Sequence, residues 1–279
     1  VATFGYAQAS YCPTAGNVAP NVTNDTGVFT ANDPAVIFAE GDGVAPGTID
    51  AIFTPPGTYT ITNTIQAGNG CEEVSFSTEI TIAAAPNYTA DRAYEICSGS
   101  ATNIVHTADI TGSTFSWTIS GVTGSITGQS AGSGGTIQQT LTNASNTETG
   151  TVSYLVTPSH VDNCGAGVPT VVVVTVYPRP AIPVAGNLTV SYDGTVHTAT
   201  ATSSTMTQGN EAAVIDWYDA ETGGNAITAP AGTIAGTYTA WAEARYPSTG
   251  CTSTSRTLVT LTIEQKVLTV VDAQVTGRD

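Results

Sequence analysis

Five cysteines are the side chains whose spacing says most about chemistry: Cys12, Cys71, Cys97, Cys164 and Cys251. Thiols ligate metals, attack as nucleophiles or pair as disulfides, and five of them allow many pairings. A repeat in the surrounding sequence narrows the choice. Gly57-Thr58-Tyr59-Thr60 leads to Gly70-Cys71, Gly236-Thr237-Tyr238-Thr239 leads to Gly250-Cys251, and the looser Gly150-Thr151-Val152-Ser153-Tyr154 leads to Cys164. On this alignment Cys12 opens a first unit that Cys71 closes, and Cys97 opens a second that Cys164 closes. Bonds Cys12–Cys71 and Cys97–Cys164 are therefore expected, each inside its own unit and each contributing about 4 kcal/mol in the chain-entropy model. Cys251 closes a third unit, in which Tyr192 stands where the opening cysteine would be. Cys251 is then a buried free thiol or the partner of another chain. Two disulfides imply an oxidising, extracytoplasmic setting.

The other reactive side chains point to little. His106, His160 and His197 show no metal-ligand spacing with one another, and Cys164, four residues from His160, is better used in a disulfide. No nucleophile-elbow motif occurs. The glycines at Gly132 to Gly135 open no helix and lack a lysine, so they do not cradle phosphate. No carboxylate pair is recognisable as a glycosidase couple. The sequence therefore predicts no enzyme and no cofactor. Carboxylates cluster at Glu40 and Asp42, and at Asp216, Asp219 and Glu221. Solvated loop charges are one reading; calcium, which needs several converging hard oxygens, is the other. Sequons at Asn21, Asn24, Asn87, Asn143 and Asn187 are what chance gives in a chain so rich in Asn and Thr.

Charge removes whole classes of partner. The 279 residues carry a formal net charge of −16, with a single lysine, Lys266. Nucleic acid requires basic patches, and none exists. The same balance disfavours anionic membrane, and no apolar run is long enough to span a bilayer. So acidic a chain suits solubility and mutual repulsion on a crowded surface. One lysine also excludes a Lys–Asn isopeptide cross-link in every unit. With no initiator Met or leader, the sequence reads as a mature product or a piece of something longer.

The elements that must position these residues are strands. Charged residues are only 10% of the chain, while Thr, Val, Ser and Gly dominate. Thr and Val favour pleated, half-buried strands, and no sustained helical period is present. Three Trp and six Phe leave material only for small cores. The expectation is an all-β tandem array of three immunoglobulin-like β-sandwiches: residues 1–85, 86–178 and 179–265, with 266–279 a linker or the first strand of a further domain. Each repeat is a Thr/Tyr strand, a loop with the late cysteine, and a second strand: Val74 to Ile82, Val168 to Tyr177, Ser255 to Ile263. Phe29, Phe38 and Phe53 are expected to fill the first core. Trp117, between two cysteines, is expected to pack on an inter-sheet disulfide, with Trp217 its counterpart in the third unit. Val171 to Val174 is continuously apolar and reads as a strand covered on both faces. Val267 to Val271 is one more strand-like run. The prolines of Pro178-Arg179-Pro180-Ala181-Ile182-Pro183 favour an extended, semi-rigid joint.

Several stretches resemble a known group. Ile96-Cys97-Ser98-Gly99, Phe115-Ser116-Trp117, Gly134 to Asn143, Val152 to Pro158 and Val174 to Pro180 are similar to the PKD-like domains of Bacteroidota surface proteins. Ser191-Tyr192-Asp193-Gly194, Asp216-Trp217-Tyr218 and Thr222-Gly223-Gly224 resemble another immunoglobulin-like repeat of those proteins. Tyr11-Cys12 with Gly57 to Thr60 resembles a third type. The resemblance implies large adhesins and gliding or filament-forming proteins exported by the type IX pathway, with a bacterial cell-surface location and an adhesive or structural role. The partners it implies are neighbouring domains of the same chain, identical subunits, or surface glycans. A filament subunit donating the Val267 to Val271 strand is a further expectation.

Overall fold

The computed structural model describes residues 3–23, 26–68, 72–161 and 164–265. It is all-β, with two short 3-10 turns as its only helical segments among the described residues. One topology occurs three times. In the first unit the strands are β1 (Ser10–Tyr11), β2 (Val28–Ala31), β3 (Gly57–Ile65) and β4 (Val74–Ile82). Their order across the sheet is β1-β4-β3-β2. The second unit repeats it with β5 (Ala93–Cys97), β6 (Thr114–Thr123), β7 (Gly150–His160) and β8 (Thr170–Tyr177), in the order β6-β7-β8-β5. The third uses β9 (Leu188–Ser191), β10 (Val214–Tyr218), β11 (Gly236–Arg245) and β12 (Thr257–Glu264), in the order β9-β12-β11-β10.

The hairpin read from the sequence is the centre of each sheet. β3 pairs antiparallel with β4, β7 with β8, and β11 with β12. Each closing strand also takes the unit's opening strand in parallel: Tyr11 faces Ile82, Cys97 faces Tyr177, and Ser191 faces Glu264. Tyr192, one residue on, donates its N–H to the Glu264 carbonyl, as Ser98 does to that of Tyr177. Ile82, Val176 and Ile263, which pair with the three hairpin glycines, face Tyr11, Ile96 and Val190, so Ser191 and not Tyr192 stands where Cys12 and Cys97 do, a one-residue correction to the alignment.

Alternation explains which face is buried. On β3, Tyr59, Ile61 and Asn63 point inward while Thr58, Thr60, Thr62 and Thr64 line the outer face. Period-2 side-chain placement turns that pattern directly into one wet and one dry face. Hydroxyls on the wet face pair across strands, Thr58 with Thr81 at 3.0 Å and Thr62 with Ser77 at 2.8 Å. Strand β8 follows the same rule. Val172, Val174 and Val176 are buried, but Val171 is exposed, which corrects the expectation of a strand covered on both faces.

Short strand pairs close the opposite layer of each sandwich: Asn17–Val18 on Ile49–Asp50 in the first unit, Ile104–Val105 on Thr136–Ile137 in the second, Val184–Gly186 on Thr200–Thr202 in the third. Between the layers lie three separate apolar clusters. The first is built on Phe4, Ile49, Tyr59, Ile61 and Ile80, with Phe29 and Phe38 packed at its edge. Phe53 does not join them: it is 70% exposed. The Asp50–Thr54 turn, closed by Thr54 N–H to Asp50 O and Ile52 N–H to the Asp50 carboxylate, aims Phe53 outward. The second cluster holds Trp117, Phe115, Tyr154 and five buried valines. The third is small-grained: Ala199, Ala242, Val259, Leu261 and Ile263. Val267 to Val271 lies outside the described residues.

Candidate functional site: the joints between units

The disulfides cross from one unit to the next. Cys12 bonds Cys164 and Cys97 bonds Cys251, with Cα–Cα distances of 5.1 and 5.6 Å. This overturns the expected bonds Cys12–Cys71 and Cys97–Cys164, and the expected free thiol at Cys251. Cys71 itself lies outside the described residues. The physical reason is topological. An opening strand is bonded edge-on to its own closing strand, so its cysteine sits at the end of the sheet. There it meets the loop of the following unit, not the far end of its own hairpin. In the first unit the opening strand ends at Tyr11, beside Cys12; in the second it ends at Cys97 itself.

At the first joint Cys164 follows β7 in the left-handed region, φ 56°, with Gly165 after it at φ 68°. A β-carbon disfavours that region, and the pairing of Gly165 with His160 together with the bond to Cys12 holds the turn in place. The linker leaves β4 through Ala83, whose N–H is bonded to Tyr11 O. It then passes close over Gly167: a β-carbon there would collide with the Pro86 carbonyl at 1.8 Å.

The second joint adds a polar clamp to its disulfide. Cys251 is fully buried, and the turn that carries it is closed by Tyr246 N–H to Cys251 O at 3.0 Å and Gly250 N–H to Tyr246 O at 2.9 Å. Tyr246, also buried, donates its hydroxyl to Asn146 O of the second unit at 2.6 Å, and Ser204 Oγ lies 2.8 Å from the same hydroxyl. Arg179 spans the joint from the linker. Its Nε donates to Ser98 O at 2.6 Å and its Nη1 to Thr252 O at 3.3 Å, the carbonyls next after the two half-cystines. Asn146 Nδ2 donates back to Arg179 O at 2.9 Å, and Thr207 N–H to Thr147 O at 2.9 Å. Hydrogen bonds from a charged guanidinium are the stronger kind.

Trp117 lies in the second core, 7% exposed, and donates Nε1–H to Ser130 O at 3.1 Å. Its ring packs on Gly132, where a β-carbon would come within 2.7 Å. It does not pack on a Cys97–Cys164 bond, since none exists. His106, stacked near Trp117 and Phe115, meets Tyr88 Oη through Nδ1 at 3.1 Å, while its buried Nε2 has no hydrogen-bond partner. Burial pushes its pKa below the usual value. Trp217 borders the third cluster, half-buried.

The calcium candidates do not converge. Asp216 is held by Arg245, Nε to Oδ2 at 2.6 Å and Nη2 to Oδ1 at 3.2 Å. Asp219 accepts Asn225 N–H at 2.7 Å and Asn225 Nδ2 at 3.1 Å, which holds its carboxyl below the usual range. Glu221 is exposed. Arg256, 3.4 Å above the Tyr218 ring, supplies further positive charge and donates to Ala220 O and Gly223 O. Those carboxylate oxygens are spent on protein donors, and no group of three or more metal-ligating side chains forms among the described residues, Glu40 and Asp42 included.

The comparisons with known proteins concern the second unit most directly. Residues 94–180 match the PKD-like domain. No curated protein matches the chain significantly. Among solved structures, the chain is similar to mouse protocadherin-24 EC1-3, with TM-score 0.35 and 12% identity over 94% of this chain and 98% of that one. A variant of titin domains I67–I69 gives TM-score 0.36 and 10% identity over 96% and 100%. Drosophila N-cadherin EC1-4 gives 0.31 and 12% over 92% and 73%. Among the described residues no helix is long and apolar enough to cross a membrane.

Proposed function

We propose that the chain is a non-enzymatic structural or adhesive part of a secreted cell-surface protein, working as an extended spacer whose units, 1–85, 86–178 and 179–265, are stapled in series. The observation that carries this is the pair of disulfides joining neighbouring units. A bond inside a unit would stabilise that unit alone; a bond between units fixes how they follow one another. Disulfides persist in oxidising compartments, which supports an extracellular location. The charge of −16 supports a crowded, mutually repelling surface. The resemblance of the second and third units to Bacteroidota repeats leads us to a bacterial surface and type IX export, with neighbouring domains or identical subunits as partners. Electron microscopy of the native surface material tests the reading: rods or filaments support it, and compact isolated particles overturn it.

A second reading, binding of a surface glycan, has one observation in its favour. Ile52 and Phe53 stand exposed side by side on the first unit, and an exposed aromatic ring is a stacking face for a sugar. A glycan array with the native chain and with Phe53→Ala decides it: binding lost in the variant supports a ligand module, and no binding by the native chain removes it.

A further inference from the structure

The two disulfides interlock. Along the chain the half-cystines run Cys12, Cys97, Cys164, Cys251, and the bonds join the first to the third and the second to the fourth. Each closes a long stretch, with sequence separations of 152 and 154, and each stretch contains one end of the other bond. Three backbone segments therefore connect the same two cystines: Cys12 to Cys97, Cys97 to Cys164, and Cys164 to Cys251. The middle segment is the shortest and contains most of the second unit.

We infer that the oxidised chain is an extension-limited tether: its reach under tension is set by the segment between Cys97 and Cys164, with the other two segments running in parallel to it. This rests on the mechanical reading above and goes beyond it, because it fixes how far the spacer can stretch. Two cystines joined by three segments cannot separate farther than the shortest one allows, whatever unfolds. That segment is about 67 residues, and at roughly 3.6 Å per residue it spans at most about 240 Å. Adding the tails outside the cystines, the pulled path covers about 106 residues, or about 380 Å. A chain without disulfides would reach about 1,000 Å by the same rule. Unfolding of the first or third unit adds nothing to the limit, because the segments crossing them stay slack when the middle one is taut.

Interlocking also makes the two bonds non-additive in a way that separate bridges are not. With only the Cys97–Cys251 bond, the pulled path is about 125 residues, or about 450 Å; with only Cys12–Cys164 it is about 127 residues, or about 460 Å. Losing either staple lengthens the tether by less than a quarter. Losing both lengthens it about 2.6-fold.

The test is single-molecule pulling of the whole chain through thiol-free tags at its two ends. The final contour length is read for the native chain, for Cys12→Ser/Cys164→Ser, for Cys97→Ser/Cys251→Ser, and for the native chain in reductant. The expected series is about 380, 450, 460 and 1,000 Å. A native contour near 550 Å, the value for bridges Cys12–Cys71 and Cys97–Cys164, overturns the inference, as does a native contour unchanged by reductant. Both overturning results are read on the native chain, so a folding defect in a variant cannot mimic either. Failure here leaves the spacer role to the microscopy, and compact particles in the microscopy leave the contour series standing.

Discussion

The hydroxyl of Tyr246 lies 2.6 Å from the carbonyl oxygen of Asn146, residues that belong to different sandwiches. Tyr246 is fully buried, and the same hydroxyl meets Ser204 Oγ. Tyr246→Phe keeps the ring and removes both hydrogen bonds, leaving a carbonyl without its donor. Burying an unsatisfied polar group costs about 1–3 kcal/mol. The expected outcome is a loss of that size in denaturant unfolding of the third unit within the whole chain.

The disulfide connectivity is checked by peptide mapping of the unreduced protein. Linked peptides containing Cys12 with Cys164 and Cys97 with Cys251 are expected; a peptide joining Cys12 to Cys71 contradicts the structure. Each bond alone closes a stretch for which the chain-entropy model gives about 5 kcal/mol. Because the stretches overlap, the second bond constrains a chain already constrained by the first. The losses in the two variants are therefore expected to sum to less than the loss when both bonds are removed, read as midpoints of chemical unfolding.

Trp117 fills the middle of the second core and packs on Gly132. Trp117→Ala is expected to cost about 3–5 kcal/mol. Unfolding followed by tyrosine and backbone signals should show the second unit melting first, and a melt near that of the native chain would contradict the placement.

His106 gives a pH dependence with a definite sign. Burial lowers its folded pKa, while the unfolded chain keeps a value near 6.5. The unfolded state therefore binds more protons between those two values, and stability rises with pH across that window. The contribution is complete above about pH 6.5 and is lost as the pH falls through the folded value. Tyr88, its hydrogen-bond neighbour, has its own pKa pushed up to about 12, so it stays neutral throughout. Melting temperatures of the second unit should fall from pH 7 to 5, and His106→Phe should flatten that fall.

Asp216 and Arg245 occupy each other in the third unit. Excess calcium against chelator is expected to leave the melting temperature unchanged, measured by calorimetry. Both side chains are partly exposed, so Asp216→Asn should cost no more than about 1 kcal/mol.

The sheets were legible because their information is local. The alternation in Gly57–Ile65, Gly150–His160 and Gly236–Arg245 fixes strand, inner face and hairpin partner together, and all three pair as the repeat requires. Disulfide partners are a relation between units, and a repeat tells only which positions are equivalent. Cys12 and Cys97 are equivalent, and so are Cys164 and Cys251, which suits bonds within a unit and bonds across units alike. One signal did favour the second choice: the separations of 152 and 154 are nearly equal, so a single rule, opening cysteine to the late cysteine of the next unit, serves both bonds. Phe53 is a similar case. A large apolar residue suits a core, but the Asp50 side-chain turn that points it outward is a three-dimensional arrangement. The clamp at Tyr246 and Arg179 carries no periodic signature at all, since its acceptors are main-chain carbonyls.

The inner face of Gly236–Arg245 is lined by Ala240, Ala242 and Ala244. Methyl groups bury little area, and apolar burial scales with area. Residues 179–265 made alone should be the least able of the three to hold a native shape, and their persistence is borrowed from the covalent and polar grip of the neighbour before them.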